Sequence, residues 1–479
     1  MLISLKSCRF AYPLAALCAL IAAALASCLL LAANFASASL PRAPIVAAIK
    51  DGFAQKQLQD EGWLPFNATI GMHQFNDCLV LLMAADDRAP ARKRALSPLA
   101  AGFDAGERGE GWRNPCLPLR QLADGKPAPV TADSHYHRYV WGDVAVSAAM
   151  LQMLSVQHVR QLYLALSFFL PAGLLLLALR RLVNGDAQPI VTKAAALYAA
   201  LLTFAFGGQF FGQSFAHFPA DVLLSLYLAL VLFSGPRLRN PFALAACNAV
   251  FGALTAYFEL LSGGAPMGAS LVLVIAAAQA LDRPARDDWA RMALALGAYA
   301  LGVVFLFAMK FAATAEVFGW DAVAGVEGRL STWMGAAPAG TVFAALFWQA
   351  AILGGGSLWL GASLVIGAFI CLRLTIERLI REKGLASPGH WGLVAAAFGA
   401  PLWWALFPWH TGVHAWMMIR IAIGIMAGGY LLALLLYGRP LARLLATLTA
   451  RISENAAPDA VAASAPSRAL EPRPLSGDG

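Results

Sequence analysis

The stretch LAALCALIAAALASCLLLAA, from Leu14 to Ala33, holds 20 residues without a charge. A helix needs about 20 mainly apolar residues to cross a bilayer, so this stretch predicts a transmembrane helix. The whole chain of 479 residues has the same character: 59% are hydrophobic, 13% are charged, and the mean hydropathy is +0.64. This composition excludes a soluble multidomain enzyme, a disordered chain, and a collagen-like or disulfide-rich secreted module. The sequence therefore predicts a polytopic membrane protein.

Ten stretches are long and apolar enough to span a membrane, which predicts an all-α membrane protein with about ten transmembrane helices. They lie near residues 11–34, 159–179, 190–206, 219–234, 241–261, 266–281, 289–310, 353–373, 390–407 and 417–437. Residues 1–437 then form one transmembrane domain, and residues 438–479 form a cytoplasmic tail whose composition predicts that it is largely disordered. We interpret the first span as a retained anchor; a signal peptide cleaved near Ala38 is the alternative.

The Lys and Arg residues predict the orientation of the spans. They cluster in alternate connecting segments, whereas the opposite segments at 207–218, 262–265 and 408–416 contain none. Because short cytoplasmic loops carry the excess of Lys and Arg, both termini are predicted to be cytoplasmic. The net charge of +8 follows from these clusters. No basic stripe interleaved with aromatic residues accompanies it, so no nucleic-acid partner is predicted.

Two large segments are predicted on the external side. The first external loop covers about residues 35–142, and the second covers about 311–352. An apolar–polar stretch at 341–349 predicts an interfacial helix in the second loop, and residues 143–158 have the same pattern.

Two of the seven cysteines, Cys78 and Cys116, fall in the first external loop. They could form a disulfide in an oxidising compartment such as a bacterial periplasm, or they could remain free thiols. The chain has no CxxC motif and no metal-finger spacing, so the cysteines predict no metal site.

Two carboxylates are candidates for acid–base chemistry on the external side. Asp77 precedes the apolar run from Leu79 to Met83, so it begins a buried element rather than lying in a loose acidic loop. A helix N-cap is the alternative interpretation of Asp77. Glu259 closes the fifth span on the same side, where a solvated helix end is the alternative.

Several cationic groups are candidates for binding a phosphate. The stretch PWHTGVHAWMMIR, residues 408–420, places His410 and His414 on one helix face with Arg420 deeper in the span. Two imidazoles above a guanidinium suit a phosphate or diphosphate. They form neither an HExxH motif nor a three-ligand set, so no metal is predicted there. Lys310 ends the seventh span, where a snorkelling lysine is the alternative, and Arg138 lies on the external side against the charge rule.

Amide, imidazole and aromatic side chains near these cations suit sugar recognition. Gln209 and His217 belong to the glycine-rich stretch GGQFFGQSFAHFP at 207–219. Tyr136 and Trp141 belong to HYHRYVWG at 135–142. An aromatic belt at the membrane interface is the alternative explanation of both stretches.

The chain resembles the GT-C superfamily of membrane glycosyltransferases. The resemblance rests on the number of spans, the acidic residue Asp77 in the long loop after the first span, the helix end FELL at 258–261 and the segment from His410 to Arg420. Asp77 is flanked by Asn76 and Cys78, so the paired acids usual in the family are absent.

The resemblance implies a polyprenyl-phosphate-linked sugar as donor and a glycan, lipid or protein of the cell envelope as acceptor. It implies a multi-pass protein of the bacterial inner membrane with a periplasmic active site. Asp77 would be the general base, with Glu259 as the second acid. The cationic residues His410, His414, Arg420, Lys310 and Arg138 would stabilise the leaving phosphate, and the reaction would invert the anomeric centre. No cofactor is required, and a divalent metal is not indicated.

Other functions are compatible with a polytopic protein of this composition. The main alternative is a lipid or solute transporter or flippase of the envelope polysaccharide pathway, whose site would lie near the bilayer midplane. A membrane-bound acyl or phosphoglycerol transferase is another alternative, and a non-catalytic assembly scaffold is a third. We favour the glycosyltransferase because the ionisable residues gather at external helix ends.

Overall fold

The structure is a computed structural model that describes residues 2–67, 71–99, 114–126, 135–206, 213–258, 263–334, 358–382, 387–413 and 419–463. Contacts divide the chain into two units, Met1–Leu432 and Ala433–Gly479. This division falls close to the boundary at 437 that the sequence predicts. The candidate functional site described below belongs to the first unit.

The described chain is helical apart from one short antiparallel hairpin. Its elements are α1 Leu2–Ala38, α2 Arg42–Ala54, β1 Trp63–Asn67, β2 Gly71–His73, α3 Phe75–Ala85, α4 Ala91–Leu96, α5 Cys116–Ala123, α6 Gly142–Met150, α7 Val156–Val183, α8 Pro189–Ala200, α9 Phe218–Ser234, α10 Pro241–Phe258, α11 Gly264–Asp282, α12 Asp288–Phe318, α13 Trp320–Met334, α14 Leu358–Arg381, α15 Pro388–Leu406, α16 Pro408–Val413 and α17 Ile423–Ala463. A π-helical turn, Leu201–Phe206, continues α8, and two 3₁₀ turns cover Arg237–Arg239 and Ile419–Ala422.

Among the described residues, six helices are long and apolar enough to cross a membrane, which confirms a multi-pass helical membrane protein. They are Ala11–Ala38, Val156–Val183, Pro241–Phe258, Gly264–Asp282, Asp288–Phe318 and Arg420–Gly438. The four remaining predicted spans coincide with α8, α9, α14 and α15. Of these, α8 and α9 are apolar but short. The count of ten spans therefore stays a prediction.

Two predicted boundaries differ from the structure. The helix predicted to end at Lys310 runs on to Phe318, because residues 311–318 are helix-compatible and apolar enough to prolong it. Gly319, with a φ of 87°, ends this helix, and a second helix, Trp320–Met334, lies inside the predicted loop 311–352. In the predicted disordered tail, α17 remains helical as far as Ala463.

Other predictions fall only partly on described residues. The predicted interfacial helix at 341–349 and the last residues, 464–479, lie outside the described part of the chain. The second stretch with an interfacial pattern, 143–158, contains the short helix α6 and a turn before α7 begins.

Helices α1, α10 and α12 pack closely because small residues line their contacts. A Cβ atom at Gly302 of α12 would overlap the carbonyl oxygen of Ala249, and one at Gly252 of α10 would overlap that of Tyr299. Close backbone approach through small residues is a common way for transmembrane helices to associate. The cluster that joins these helices is built from Ala15, Ala19, Ala23, Ala245, Ala249 and Ala298.

The segment between the first two candidate spans forms a packed subdomain rather than an open loop. Helices α2, α3, α5 and α6 share one apolar core with the start of α7 and with Phe215 and Phe218. The Cys78–Cys116 disulfide joins α3 to α5, so of the two alternatives left by the sequence the structure has the bonded one. This core places α3, and with it Asp77, against the start of the second candidate span.

Candidate functional site

Asp77 lies in the first turn of α3 and is completely buried. Its Oδ2 atom is 2.9 Å from Nη2 of Arg160, which donates to it. Its Oδ1 atom accepts a hydrogen bond of 2.6 Å from Ser214 Oγ and one of 3.3 Å from the backbone N–H of Ala216. The carboxylate of the predicted general base is therefore enclosed by donors from two other parts of the chain.

The start of α3 is held by its neighbours in sequence. The buried side chain of Gln74 donates to the carbonyls of Gln59 and Glu61, which fixes the entry to the helix. Cys78 follows Asp77 directly and forms the disulfide with Cys116. Asp77 is thus positioned by a polar anchor on one side and a covalent bond on the other.

Arg160 is a residue that the sequence analysis missed. It lies in the first turns of α7, inside the candidate span Val156–Val183, and only 2% of its surface is exposed. Its guanidinium is 5.5 Å from the ring centre of Phe215, which adds a cation–π contact to the ion pair. A charge within a membrane span is costly unless paired, and this signal could have directed attention to Arg160.

The short segment Gln213–Asp221 contacts two ion pairs. Ser214 accepts hydrogen bonds of 3.3 Å from the N–H groups of Ala216 and His217 while its hydroxyl donates to Asp77. The Nε2 atom of His217 accepts a hydrogen bond of 3.0 Å from Asn76. The structure therefore brings His217, predicted as a sugar-binding residue, next to the Asp77 pair.

Arg420 forms the second buried ion pair, and its partner is Asp221 at the start of α9. Arg420 is 1% exposed and lies in the 3₁₀ turn Ile419–Ala422. The structure thus pairs the predicted phosphate ligand with a carboxylate. Of His410 the structure describes only the backbone, which belongs to α16. His414, Glu259 and Gln209 lie outside the described part of the chain.

Aromatic and basic side chains gather on the segment His135–Trp141, which we call the aromatic segment. The Arg138 guanidinium lies 4.9 Å from the ring centre of Tyr136, and its Nη1 donates to the Tyr136 hydroxyl at 3.5 Å. Trp141 contacts Tyr136 edge to face at 4.9 Å, and its indole N–H donates to the Tyr136 carbonyl at 3.1 Å. Three predicted site residues therefore lie together here.

Lys310 reaches the same segment from α12. Its ammonium donates to the carbonyl oxygen of His137, and its side chain is 1% exposed, so it does not snorkel to the surface. Nearby, Phe318 packs against the rings of His135 and His137 at 4.6 and 4.8 Å. Lys93 of α4 lies 5.3 Å from the centre of the same Phe318 ring.

Burial, and to a smaller extent the positive charge of Lys310 and the neighbouring His135, together lower the pKa of His137 to about 4. His137 is therefore neutral at pH 7, and its Nδ1 shares a hydrogen bond of 2.8 Å with Ser97 Oγ. The positive charge of the cluster comes from Lys93, Arg138 and Lys310. We call these three residues the cationic cluster.

The two groups of residues share helix α3. Trp141 of the aromatic segment packs on Leu79 and Met83, which follow Asp77 by two and six residues on that helix. Arg420 lies elsewhere, with Asp221. Within the described ranges no three His, Cys, Asp or Glu side chains are grouped to hold a metal ion, and the expectation that no metal is required stays a prediction.

The fold and the site define a multi-pass helical membrane protein with two buried ion pairs and a cationic cluster beside an aromatic segment. No family model matches the chain, and neither a curated protein nor a solved structure is significantly similar to it.

Proposed function

We propose that the protein is a glycosyltransferase of the bacterial inner membrane, with about ten spans in a GT-C-like arrangement and both termini in the cytoplasm. It transfers a sugar from a polyprenyl-phosphate donor to a glycan, lipid or protein of the cell envelope on the periplasmic face. The proposal includes no nucleic-acid partner and requires no cofactor.

The observation that supports the proposal is the cationic cluster of Lys93, Arg138 and Lys310 against the aromatic segment. A lipid-linked sugar presents a phosphate next to a ring with apolar faces. Cations bind the phosphate, and aromatic rings such as Tyr136 and Trp141 pack against the ring. His410 and His414 stay predicted phosphate ligands, and Gln209 and His217 stay predicted sugar-binding residues, whereas Arg420 is paired with Asp221 apart from the cationic cluster.

In the proposed reaction, an acceptor hydroxyl attacks the anomeric carbon as the bond from that carbon to the phosphate oxygen breaks. The hydroxyl proton goes to a carboxylate, and the bonding electrons leave with the lipid phosphate. Because negative charge grows on the phosphate, Arg138 and Lys310 stabilise the transition state more than the bound donor. A single displacement inverts the anomeric centre.

Asp77 is the proposed base, with Glu259 as the second acid, and the burial of Asp77 sets a condition on this role. A base must come within about 2.6–3.2 Å of the proton that it takes. Ser214 and Arg160 occupy the Asp77 carboxylate, so the acceptor hydroxyl must replace one of them. If no such exchange occurs, Asp77 supports the site by fixing α3.

Transport is a second candidate function, and the Asp221–Arg420 pair favours it. Buried ionisable residues in membrane helices often mark a substrate path. A small pocket beside Asp221 is lined by the hydroxyls of Ser167 and Ser225 and by apolar residues, among them Leu202 of the π-helical turn Leu201–Phe206. Irregular helix geometry beside a buried charge is a feature of transporter sites.

Analysis of lipid-linked sugars in a deletion strain tests the proposal. We expect one polyprenyl-phosphate sugar to accumulate and one envelope glycan to lose that sugar, with wild-type protein restoring both. Arg138→Gln should restore transfer at least about tenfold less well, because it removes a charge-assisted contact. Arg120→Gln, a matched change at a half-exposed arginine outside the cluster, should restore it fully.

Protein abundance in the membrane is measured for every variant, so that loss of transfer is separated from loss of protein. Unchanged lipid-linked sugars and glycans in the deletion strain would contradict the glycosyltransferase. A lipid-linked sugar that is retained on the cytoplasmic face would instead favour the transporter.

A further inference from the structure

Two arginines converge at the end of the first candidate span, apart from the cationic cluster. Helix α1 ends at Ala38, and the Ala38 carbonyl accepts hydrogen bonds from Arg42 Nη2 at 2.9 Å and from Arg94 Nη2 at 2.6 Å. The two guanidiniums thus meet at one oxygen atom, where like charges repel. The two arginines are distant in sequence, because Arg42 begins α2 and Arg94 lies on the short helix α4.

Capping of α1 does not need both arginines. The carbonyls of Ala36 and Ser37 already accept from the N–H groups of Ser39 and Leu40, and the Phe35 carbonyl accepts from the Ser39 hydroxyl. A positive charge at a helix C-terminus is favourable, and one arginine on Ala38 would supply it.

The second arginine therefore adds repulsion and caps no further carbonyl of the helix end. In agreement, burial and, to a smaller extent, the positive charge of Arg94 together lower the pKa of Arg42 to about 10. Asp87 and Asp86 act in the opposite direction but more weakly.

Both guanidiniums also carry N–H donors that are not used in the hydrogen bonds to Ala38. Nε and Nη1 of Arg42 and Nε of Arg94 are buried and have no hydrogen-bond partner among the described residues. Neither arginine forms an ion pair within that part of the chain. The nearby carboxylate of Asp86 is occupied by Arg88, which donates to both of its oxygens. Buried donors without acceptors are costly, so their presence points to an acceptor beyond the described residues.

The position of the pair indicates where that acceptor comes from. The preceding turns of α1 expose large apolar side chains, Leu25 at 62% and Leu29 at 71%, as expected for a lipid-facing helix. The arginines lie just after the span ends, at the depth of lipid headgroups. Basic pockets at this depth bind anionic headgroups.

We propose that Arg42 and Arg94 form a binding site for a phosphate group, supplied by the headgroup of an anionic membrane lipid. The phosphate oxygens accept from the spare guanidinium donors and neutralise the repulsion between the two arginines. The site is independent of the proposed glycosyl transfer, because it uses no residue of the cationic cluster.

The test measures the melting temperature of the full-length protein in nanodiscs. Discs of phosphatidylcholine alone are compared with discs containing phosphatidylglycerol, for wild type, Arg42→Gln, Arg94→Gln and the control Arg92→Gln. Arg92 is on the same helix but is 62% exposed and paired with Glu316. Retention of phosphatidylglycerol is measured in parallel by native mass spectrometry.

We expect phosphatidylglycerol to raise the melting temperature of wild type and Arg92→Gln. The rise should be lost in Arg42→Gln and Arg94→Gln, with lipid retention weakened on the order of tenfold. In phosphatidylcholine alone, Arg94→Gln should melt no lower than wild type, because it removes one of two repelling charges. An arginine that only caps α1 would instead lower the melting temperature in both kinds of disc.

Inorganic phosphate added to phosphatidylcholine discs distinguishes the source of the phosphate. If the melting temperature rises only with phosphatidylglycerol, the site binds a lipid headgroup. An equal rise with inorganic phosphate assigns the site to a soluble anion and overturns the proposal of a lipid. The site itself is overturned if all three variants lose the rise in melting temperature equally. It is also overturned if neither phosphatidylglycerol nor inorganic phosphate changes the melting temperature of wild type.

Discussion

The Oδ2 atom of Asp77 lies 2.9 Å from Nη2 of Arg160, and neither side chain is more than 2% exposed. A buried ion pair of this kind is weak evidence for stability as a whole, but removal of one partner leaves an uncompensated buried charge. Asp77 could therefore be essential either because it takes a proton or because it neutralises Arg160. Single substitutions cannot separate these two roles.

A double substitution separates them. We expect Asp77→Asn alone to destabilise the protein by about 3–5 kcal/mol, because Arg160 stays charged and buried. Asp77→Leu combined with Arg160→Met should regain most of the melting temperature, measured on detergent-solubilised protein. If Asp77 is the base, the double variant is abundant but transfers no sugar; if Asp77 only positions α3, transfer returns with abundance.

The exposed pair Asp60–Arg120 provides the control for this experiment. Its side chains are 53% and 43% exposed, so Asp60→Asn should change the melting temperature little. An unchanged melting temperature in Asp77→Asn would contradict the buried ion pair.

The disulfide should contribute strongly to the subdomain between the first two spans. Its cysteines are 38 residues apart, and closure of a loop of that length is worth about 4 kcal/mol in the chain-entropy treatment. We expect Cys116→Ala to lower the melting temperature, whereas Cys28→Ala, at an exposed free cysteine, should not. Thiol labelling of Cys78 in intact cells provides the direct check, and labelling without prior reduction would disprove the bond.

The close packing of α10 on α12 predicts different effects of two glycine substitutions on one helix. A methyl group at Gly302 would overlap the Ala249 carbonyl, so Gly302→Ala should cost about 1–3 kcal/mol as the helices move apart. Gly297 has open space around its Cβ position, so Gly297→Ala should be neutral or stabilising by up to about 1 kcal/mol. Thermal melting of both variants measures the difference, and equal melting temperatures would contradict the close packing of α10 on α12.

His137 predicts a pH dependence of stability. Burial, Lys310 and His135 hold its folded-state pKa near 4, below its ordinary value of 6.5. Between these two values the unfolded chain binds more protons than the folded one, so stability falls as the pH is lowered from 7 towards 4. His137→Gln should flatten this dependence of the melting temperature, while His158→Gln, at an exposed histidine, should not. Identical pH profiles for His137→Gln and wild type would show that His137 does not contribute.

Hydropathy was sufficient to predict the helices that can cross a membrane, because twenty apolar residues have few other stable locations. Helix ends were harder to predict. Lys310 interrupts the apolar run and suggests that the span ends there. In the structure Lys310 donates a hydrogen bond to the His137 carbonyl, and the helix continues to Phe318. A contact from a distant segment thus satisfies the buried lysine, and residues 311–318 prolong the helix beyond it.

The same limit applies to the site. Residues predicted from the short stretch 135–142, such as Tyr136, Arg138 and Trp141, do lie together, since neighbours in sequence cannot separate far. The partners of the buried charges could not be predicted in this way. Arg160 is 83 residues from Asp77, and Arg420 is 199 residues from Asp221. Only the folded chain brings such pairs together, and no local spacing indicates them.

The segment Gln213–Asp221 touches one ion pair through Ser214 and belongs to the other through Asp221. Neither pair can separate freely without movement of this segment, so the two are expected to open as one cooperative unit rather than independently. Backbone amides on the segment should accordingly exchange with heavy water at a single common rate. A substitution that breaks either ion pair should raise the exchange rate of every amide in the segment. The segment Gln213–Asp221 thus couples the stability of the two ion pairs.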